Sequence, residues 1–218
     1  MDQQSNLLGI SGLRFFGKMS AANAHEIKNA LAVINENAGL LEDFAGMAEK
    51  GMALDPLRLK RLAGAIKKQV ARADHIAKSS NRFSHSVDKG HEAADLDRAL
   101  ALVTDMATRF ATLRDVHLDM ESSKTAITLP VPPFFLLHLL WLCLHATIKA
   151  CNTGQVLIVS AGRTGSIAEI RYGPLPEIEE SFVLNLEAST EMAALLRDLD
   201  GALSIDPDVP ALLLSFNK

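Results

Sequence analysis

The sequence predicts an α+β chain in two parts: a dimerising helical hairpin, which two copies would close into a four-helix bundle, and then a small α/β sandwich. Three observations predict this. Apolar residues recur at helical spacing through the first part of the chain. A polar, glycine-containing stretch interrupts that pattern near Val87 to Ala94. Short strand-like runs then alternate with helical ones, which is the pattern of a mixed layer fold. The hairpin is assigned to 1–88 and the sandwich to 92–218.

The first helix is carried by Ile27, Leu31, Ile34, Ala38 and Leu41, spaced four, three, four and three apart. That is a bundle seam, widened by Val33, Leu40, Phe44 and Met47. A break runs from Gly51 to Pro56, where Asp55-Pro56 makes a good helix start. The second helix, Leu57 to about Ser86, has its seam at Leu59, Leu62, Ile66, Ala73, Ile76 and Phe83, with Gln69 and Ser80 as polar interruptions. One hairpin leaves a seam open, so a homodimer is expected.

In the second part, Asp95 to Leu113 reads as helix, and Val116 to Met120 and Thr125 to Leu129 as short strands. Pro132 and Pro133 open an apolar helix through Ala150, which Asn152-Thr153-Gly154 ends. Val156 to Ser160 and Ile167 to Tyr172 read as a strand pair about Arg163-Thr164-Gly165. A helix from about Thr190 to Leu199, then Gly201, precedes a last strand near Ala211 to Phe216.

Composition narrows the function. The net charge of −4 gives no broad basic field for nucleic acid. The cluster Arg58, Lys60, Arg61, Lys67, Lys68 and Arg72 reads as a solvated helix face. The two cysteines, Cys143 and Cys151, lie in or beside an apolar stretch and read as buried free thiols, outside an oxidising compartment. The N-terminus shows no secretory leader pattern. Phe134 to Ala150 is as long as a short membrane span, but it contains His138, His145 and Lys149. It reads as a buried helix, so a cytoplasmic chain with no membrane partner is expected.

The chemistry-bearing stretch is Ala24-His25-Glu26-Ile27-Lys28-Asn29. His25 lies roughly 200° around the helix from Ile27 and therefore faces solvent. Asn29 is one turn on and shares that face; Glu26 is on its rim. A neutral imidazole nitrogen is a nucleophile near neutral pH. A neighbouring carboxylate can hold one ring nitrogen protonated, and a carboxamide can orient water. The spacing alone is weak, since a His-Glu-x-x-Asn string on an exposed helix is usually just a solvated face.

Phe16 through Ile34, with His25, Glu26, Ile27, Lys28 and Asn29 at its centre, resembles the phosphoacceptor helix of bacterial two-component sensor histidine kinases. The resemblance implies that His25 is phosphorylated, that Glu26 assists transfer and that Asn29 assists dephosphorylation of a partner. Ala30 departs from the family, which often has proline there. Asn81-Arg82-Phe83-Ser84 resembles the end of the family's dimerisation domain, and Asp95 to Leu113 the start of its ATP-binding domain.

The nucleotide motifs fail to match. The family's metal-binding Asn falls on His145 or Ala146. Its Asp and paired glycines belong to the stretch Ile170-Arg171-Tyr172-Gly173-Pro174-Leu175-Pro176, where the Asp is missing and the second Gly has become Leu175, and its second glycine box to Ala188-Ser189-Thr190-Glu191-Met192. No long lid fits between Pro176 and Thr190. Such a domain resembles the degenerate ATPase domain of ChpT-type histidine phosphotransferases. By that resemblance the chain exchanges phosphoryl groups with receiver-domain aspartates. It needs no cofactor of its own, Mg²⁺ residing on the receiver, and ATP-dependent kinase activity is not expected. The alternatives are a response-regulator phosphatase using Glu26 and Asn29, and a non-catalytic binding module.

Other residues read more plainly. His138 and His145, seven apart, sit roughly 10 Å apart along a helix and cannot share a metal. His75, His85, His91 and His117 show no ligand spacing. Trp141, Phe134 and Phe135 read as core, and Lys18 and Lys28 as solvated.

Overall fold

The computed structural model describes residues 3–88, 90, 93–123 and 125–217. Lys89 and His91, in the expected linker, lie outside the described residues. Two compact units emerge from the contacts: Gly17–Arg82, and Met1–Phe16 together with Phe83–Lys218. The linker-based division at 88 and 92 is a feature of composition; the contacts divide the chain within its two long helices instead.

The long helices are α1 (Gln3–Glu49) and α2 (Pro56–Ser84). Residue pairs fix their direction. Phe44 meets Arg58, Glu26 meets Arg72 and Phe16 meets Phe83, so rising numbers in one helix match falling numbers in the other. The helices are antiparallel. Gly51, at φ +79°, ends α1: its N–H donates to Ala48 O at 2.9 Å and the Met52 N–H to Met47 O at 3.1 Å, a glycine C-terminal cap. Asp55 then caps α2 by accepting from the Leu57 N–H at 2.9 Å, with Pro56 at the first helical position.

In the Gly17–Arg82 unit the α2 seam follows the periodicity: Leu59, Leu62, Ile66, Gln69, Ala73 and Ile76 are half-buried among exposed neighbours. The α1 seam follows it at four of its five predicted positions, Ile27, Ile34, Ala38 and Leu41, which are half-buried. Met19, Asn23 and Ala30 are its most buried residues, and Leu31, the remaining predicted position, is 54% exposed. Ala30, small and 1% exposed, takes the place expected of Leu31, while Leu31, Val33, Leu40 and Met47 remain on an uncovered face.

The second unit is a two-layer sandwich. Its helices are α3 (Leu96–Thr112), α4 (Pro133–Ala150), α5 (Glu180–Glu187) and α6 (Thr190–Leu199). Its strands are β1 (Ala94–Asp95), β2 (His117–Glu121), β3 (Thr128–Leu129), β4 (Val156–Thr164), β5 (Ile167–Gly173), β6 (Gly201–Ile205) and β7 (Leu212–Asn217). The main sheet has the order β2-β4-β5-β7-β6, with only the β2–β4 pair parallel; β1 and β3 form a separate antiparallel pair. β1, α5 and β6 had no counterpart in the sequence reading. The predicted Thr125–Leu129 strand shortens to two residues, and β4 extends to Thr164, so the β4–β5 turn tightens to Gly165 and Ser166. Asp200, at φ +56°, rather than Gly201, takes the left-handed position after α6; a short polar side chain tolerates it.

Alternation builds the core. Leu157, Val159, Ala168, Ile170, Tyr172, Leu212, Leu214 and Phe216 point to the buried face, while their strand neighbours, apart from the buried Gly173, are half-buried or exposed. α4 lies at the centre, with Leu136, Leu139, Leu140, Cys143 and Leu144 almost fully enclosed. Its length and apolar composition would suffice to cross a membrane. In this unit that composition instead serves burial against sheet and helices. Burial pushes the Cys143 thiol up to about 12 and Cys151 to about 11, so neither is a thiolate near neutral pH.

Candidate functional site

α1 delivers the three predicted residues to one stretch of surface. His25 and Asn29 are exposed and Glu26 is half-buried. Asn29 Nδ2 donates to Glu26 Oε1 at 3.3 Å. The other carboxylate oxygen, Oε2, accepts from Arg72 Nη2, a guanidinium 46 residues further on, on α2. Among the described residues no hydrogen bond joins His25 to Glu26. The carboxylate expected beside the ring is therefore directed across the hairpin, where a cation meets it.

Arg72 was counted among the solvated basic residues. It and its neighbours are indeed exposed, but Arg72 spans the hairpin to Glu26 and Arg58 lies over the Phe44 ring at 4.9 Å. Sequence periodicity places Arg72 on the rim of α2. It carries no sign of which α1 residue stands opposite, because that depends on the length of the Lys50–Asp55 connection.

The sandwich unit holds the other candidate region. Between α4 and α5–α6 lies a cavity of about 520 Å³, with His145, Ala146, Lys149, Asn185, Ser189 and Met192 in its wall. Both residues aligned with the family's metal-binding Asn are thus at this cavity. His145 is committed to aromatic neighbours: its ring stacks on Trp141 at 5.1 Å and meets Phe110 edge-on at 6.0 Å. In the stretch set against the family's Asp and paired glycines, Arg171 pairs with Asp206 at 2.5 Å. The Asp208 N–H, the Val209 N–H and Arg171 hold the Asp206 carboxyl below the usual range. Leu175, in place of the second glycine, is buried, and its N–H donates to Pro210 O at 2.7 Å. Gly173 remains: a Cβ there would lie 2.5 Å from the Ala211 Cβ, so close approach of the segment leading into β7 demands glycine. At the second glycine box, Ser189 caps α6 by accepting from the Met192 N–H.

His138 was expected in the core or at its rim, and it is 1% exposed. Its Nε2–H donates to Glu191 Oε1 at 2.8 Å, while Nδ1 has no partner among the described residues. Burial pushes this imidazole down to about 4. The Glu191 carboxylate acts in the opposite direction, but a second ring proton would have no acceptor, so the neutral ring prevails. Among the described residues no group of three or more His, Cys, Asp or Glu side chains is placed to hold a metal.

A helical hairpin joined to this ATPase-like sandwich is the fold of a histidine-kinase core. Among solved structures the chain is similar to a bacterial phosphotransferase, at 16% identity over 92% of this chain and 94% of that one, with a TM-score of 0.50. It is also similar to the Acinetobacter baumannii histidine kinase AdeS, at 12% identity over 88% and 95% of the two chains, TM-score 0.45. A third similar structure is histidine kinase ThkA in complex with response regulator protein TrrA, at 16% identity over 94% of this chain and 63% of that one, TM-score 0.48. No protein-family model and no curated protein matches the sequence. At these identities the likeness is one of fold.

Proposed function

We propose that the chain is a histidine phosphotransferase of a two-component phosphorelay, passing phosphoryl groups between His25 and receiver-domain aspartates without ATP, as a cytoplasmic homodimer. The observation that carries this reading is an exposed His25 flanked by Glu26 and Asn29 on a hairpin of histidine-kinase type. The fold shared with a bacterial phosphotransferase supports it. So does the sandwich unit, where the stretch Ile170 to Pro176 has no Asp and the buried Leu175 stands for a glycine that nucleotide binding would need.

In the transfer, the free ring nitrogen of neutral His25 attacks the phosphorus of an aspartyl phosphate in line. The N–P bond forms as the P–O bond to the aspartate breaks. The other ring nitrogen keeps its proton, and the partner's carboxylate leaves as the anion. Mg²⁺ on the receiver neutralises the moving charge. The homodimer rests on the uncovered apolar face of α1, where Leu31, Val33 and Leu40 are exposed.

The test offers the chain phosphorylated receivers with labelled phosphate. Acid-labile label should appear on the chain and vanish in His25→Ala. Label acquired from ATP alone, or none from any phosphorylated receiver of the same cell, would sink the reading. Label released from the receiver as inorganic phosphate, unaffected by His25→Ala but lost in Asn29→Ala, would assign a receiver phosphatase instead.

A further inference from the structure

We infer that Arg72 is a positioning residue for the phosphoryl group at His25, an inference that rests on the transfer reading above. Glu26 is the immediate chain neighbour of His25, about 3.8 Å away between Cα atoms. Its carboxylate is held from two sides, by Asn29 on its own helix and by Arg72 from α2. The guanidinium is therefore bound to the side chain next in sequence to the nucleophile.

Two properties suit Arg72 to more than an ion pair. The first is its unequal exposure relative to Glu26: the carboxylate side chain is 16% exposed and the arginine side chain 51%. The pair thus points its cationic end outward. The second is spare valency. Only Nη2 engages Glu26; Nε and Nη1 make no hydrogen bond among the described residues. A guanidinium carries five N–H donors in a planar fork that matches the oxygens of a phosphoryl group. With Glu26 anchoring one prong, the others are oriented at no further entropic cost, and the carboxylate no longer repels the incoming dianion. An ordinary exposed ion pair would do neither and would add little to stability.

In this arrangement Arg72 touches the equatorial oxygens of the phosphoryl group during transfer in either direction, while Glu26 holds the fork in place. Lysine, a point charge without the fork, replaces it only in part.

Two measurements on the full chain test this, with Arg72→Gln and Arg72→Lys beside wild type. In the first, a phosphorylated receiver is the donor. Arg72→Gln should slow transfer by about ten- to a hundredfold at saturating receiver while leaving the half-saturating receiver concentration within about twofold, and Arg72→Lys should recover part of the rate. In the second, His25 is phosphorylated chemically with phosphoramidate, with no receiver present. The ³¹P resonance of the phosphohistidine, its titration and its lifetime should differ between wild type and Arg72→Gln. A shift there with no transfer from any receiver would overturn the relay reading and keep the placement of Arg72. Normal transfer in Arg72→Gln, or an unchanged ³¹P titration and lifetime, would overturn the role of Arg72 and leave the relay standing. A variant that merely lowers the melting temperature without changing either readout assigns Arg72 a structural role and overturns the inference.

Discussion

The Phe15 ring lies flat on the His138 imidazole, with centroids 4.4 Å apart and planes 2° from parallel. Phe83 meets the same phenyl ring edge-on at 5.3 Å. Early α1, late α2 and α4 thereby share one aromatic cluster, so the first turns of α1 pack with the sandwich core. Phe15 is 3% exposed. Phe15→Ala should cost about 3–5 kcal/mol of stability, and Phe15→Leu distinctly less, because leucine refills part of the cavity. Denaturant titration of both variants checks the order; equal stabilities would show that the cluster is not packed in this way.

His138 gives the fold a pH dependence. Its folded value, about 4, lies below the ordinary histidine value of 6.5 that applies in the unfolded chain. Between those values the unfolded state binds more protons. The contribution is fully present above about pH 7 and is lost as the pH falls through that window, with a slope approaching about 1.4 kcal/mol per pH unit. His138→Phe should flatten this part of the profile. An identical slope in wild type and variant from pH 7 to 5 would assign the effect to other groups.

Gly173 tolerates no side chain. A methyl group there would meet both the Cβ and the backbone of Ala211, and overpacking against a strand costs about 1–3 kcal/mol. Gly173→Ala should lower the melting temperature, while Gly162→Ala, with open space at its Cβ position, should not do so by overpacking. The pair is compared by calorimetry.

The uncovered face of α1 should hold two copies together. Leu31, 54% exposed in the single chain, is a position on that face where a charge would tell. Leu31→Asp should convert a dimer into a monomer in light scattering at micromolar concentration, through burial of an unpaired carboxylate. A wild-type chain that is already monomeric would remove the bundle.

The position of His25 opposite the apolar seam, the Asp55-Pro56 restart of the second helix, and the Thr190–Leu199 helix were all legible in the sequence. Each is decided within a few residues, by helical periodicity or by a cap. What only the tertiary structure decided are relations between distant residues. Glu26 turns to Arg72 rather than to His25. Ala30 and Met19, rather than Leu31, fill the close side of α1. β6 pairs beside β7, and His138 finds Glu191. A repeat pattern specifies which side of a helix is apolar, but the rotation of that side against its neighbour, and hence which charge meets which, is set by connection length and packing across the whole unit.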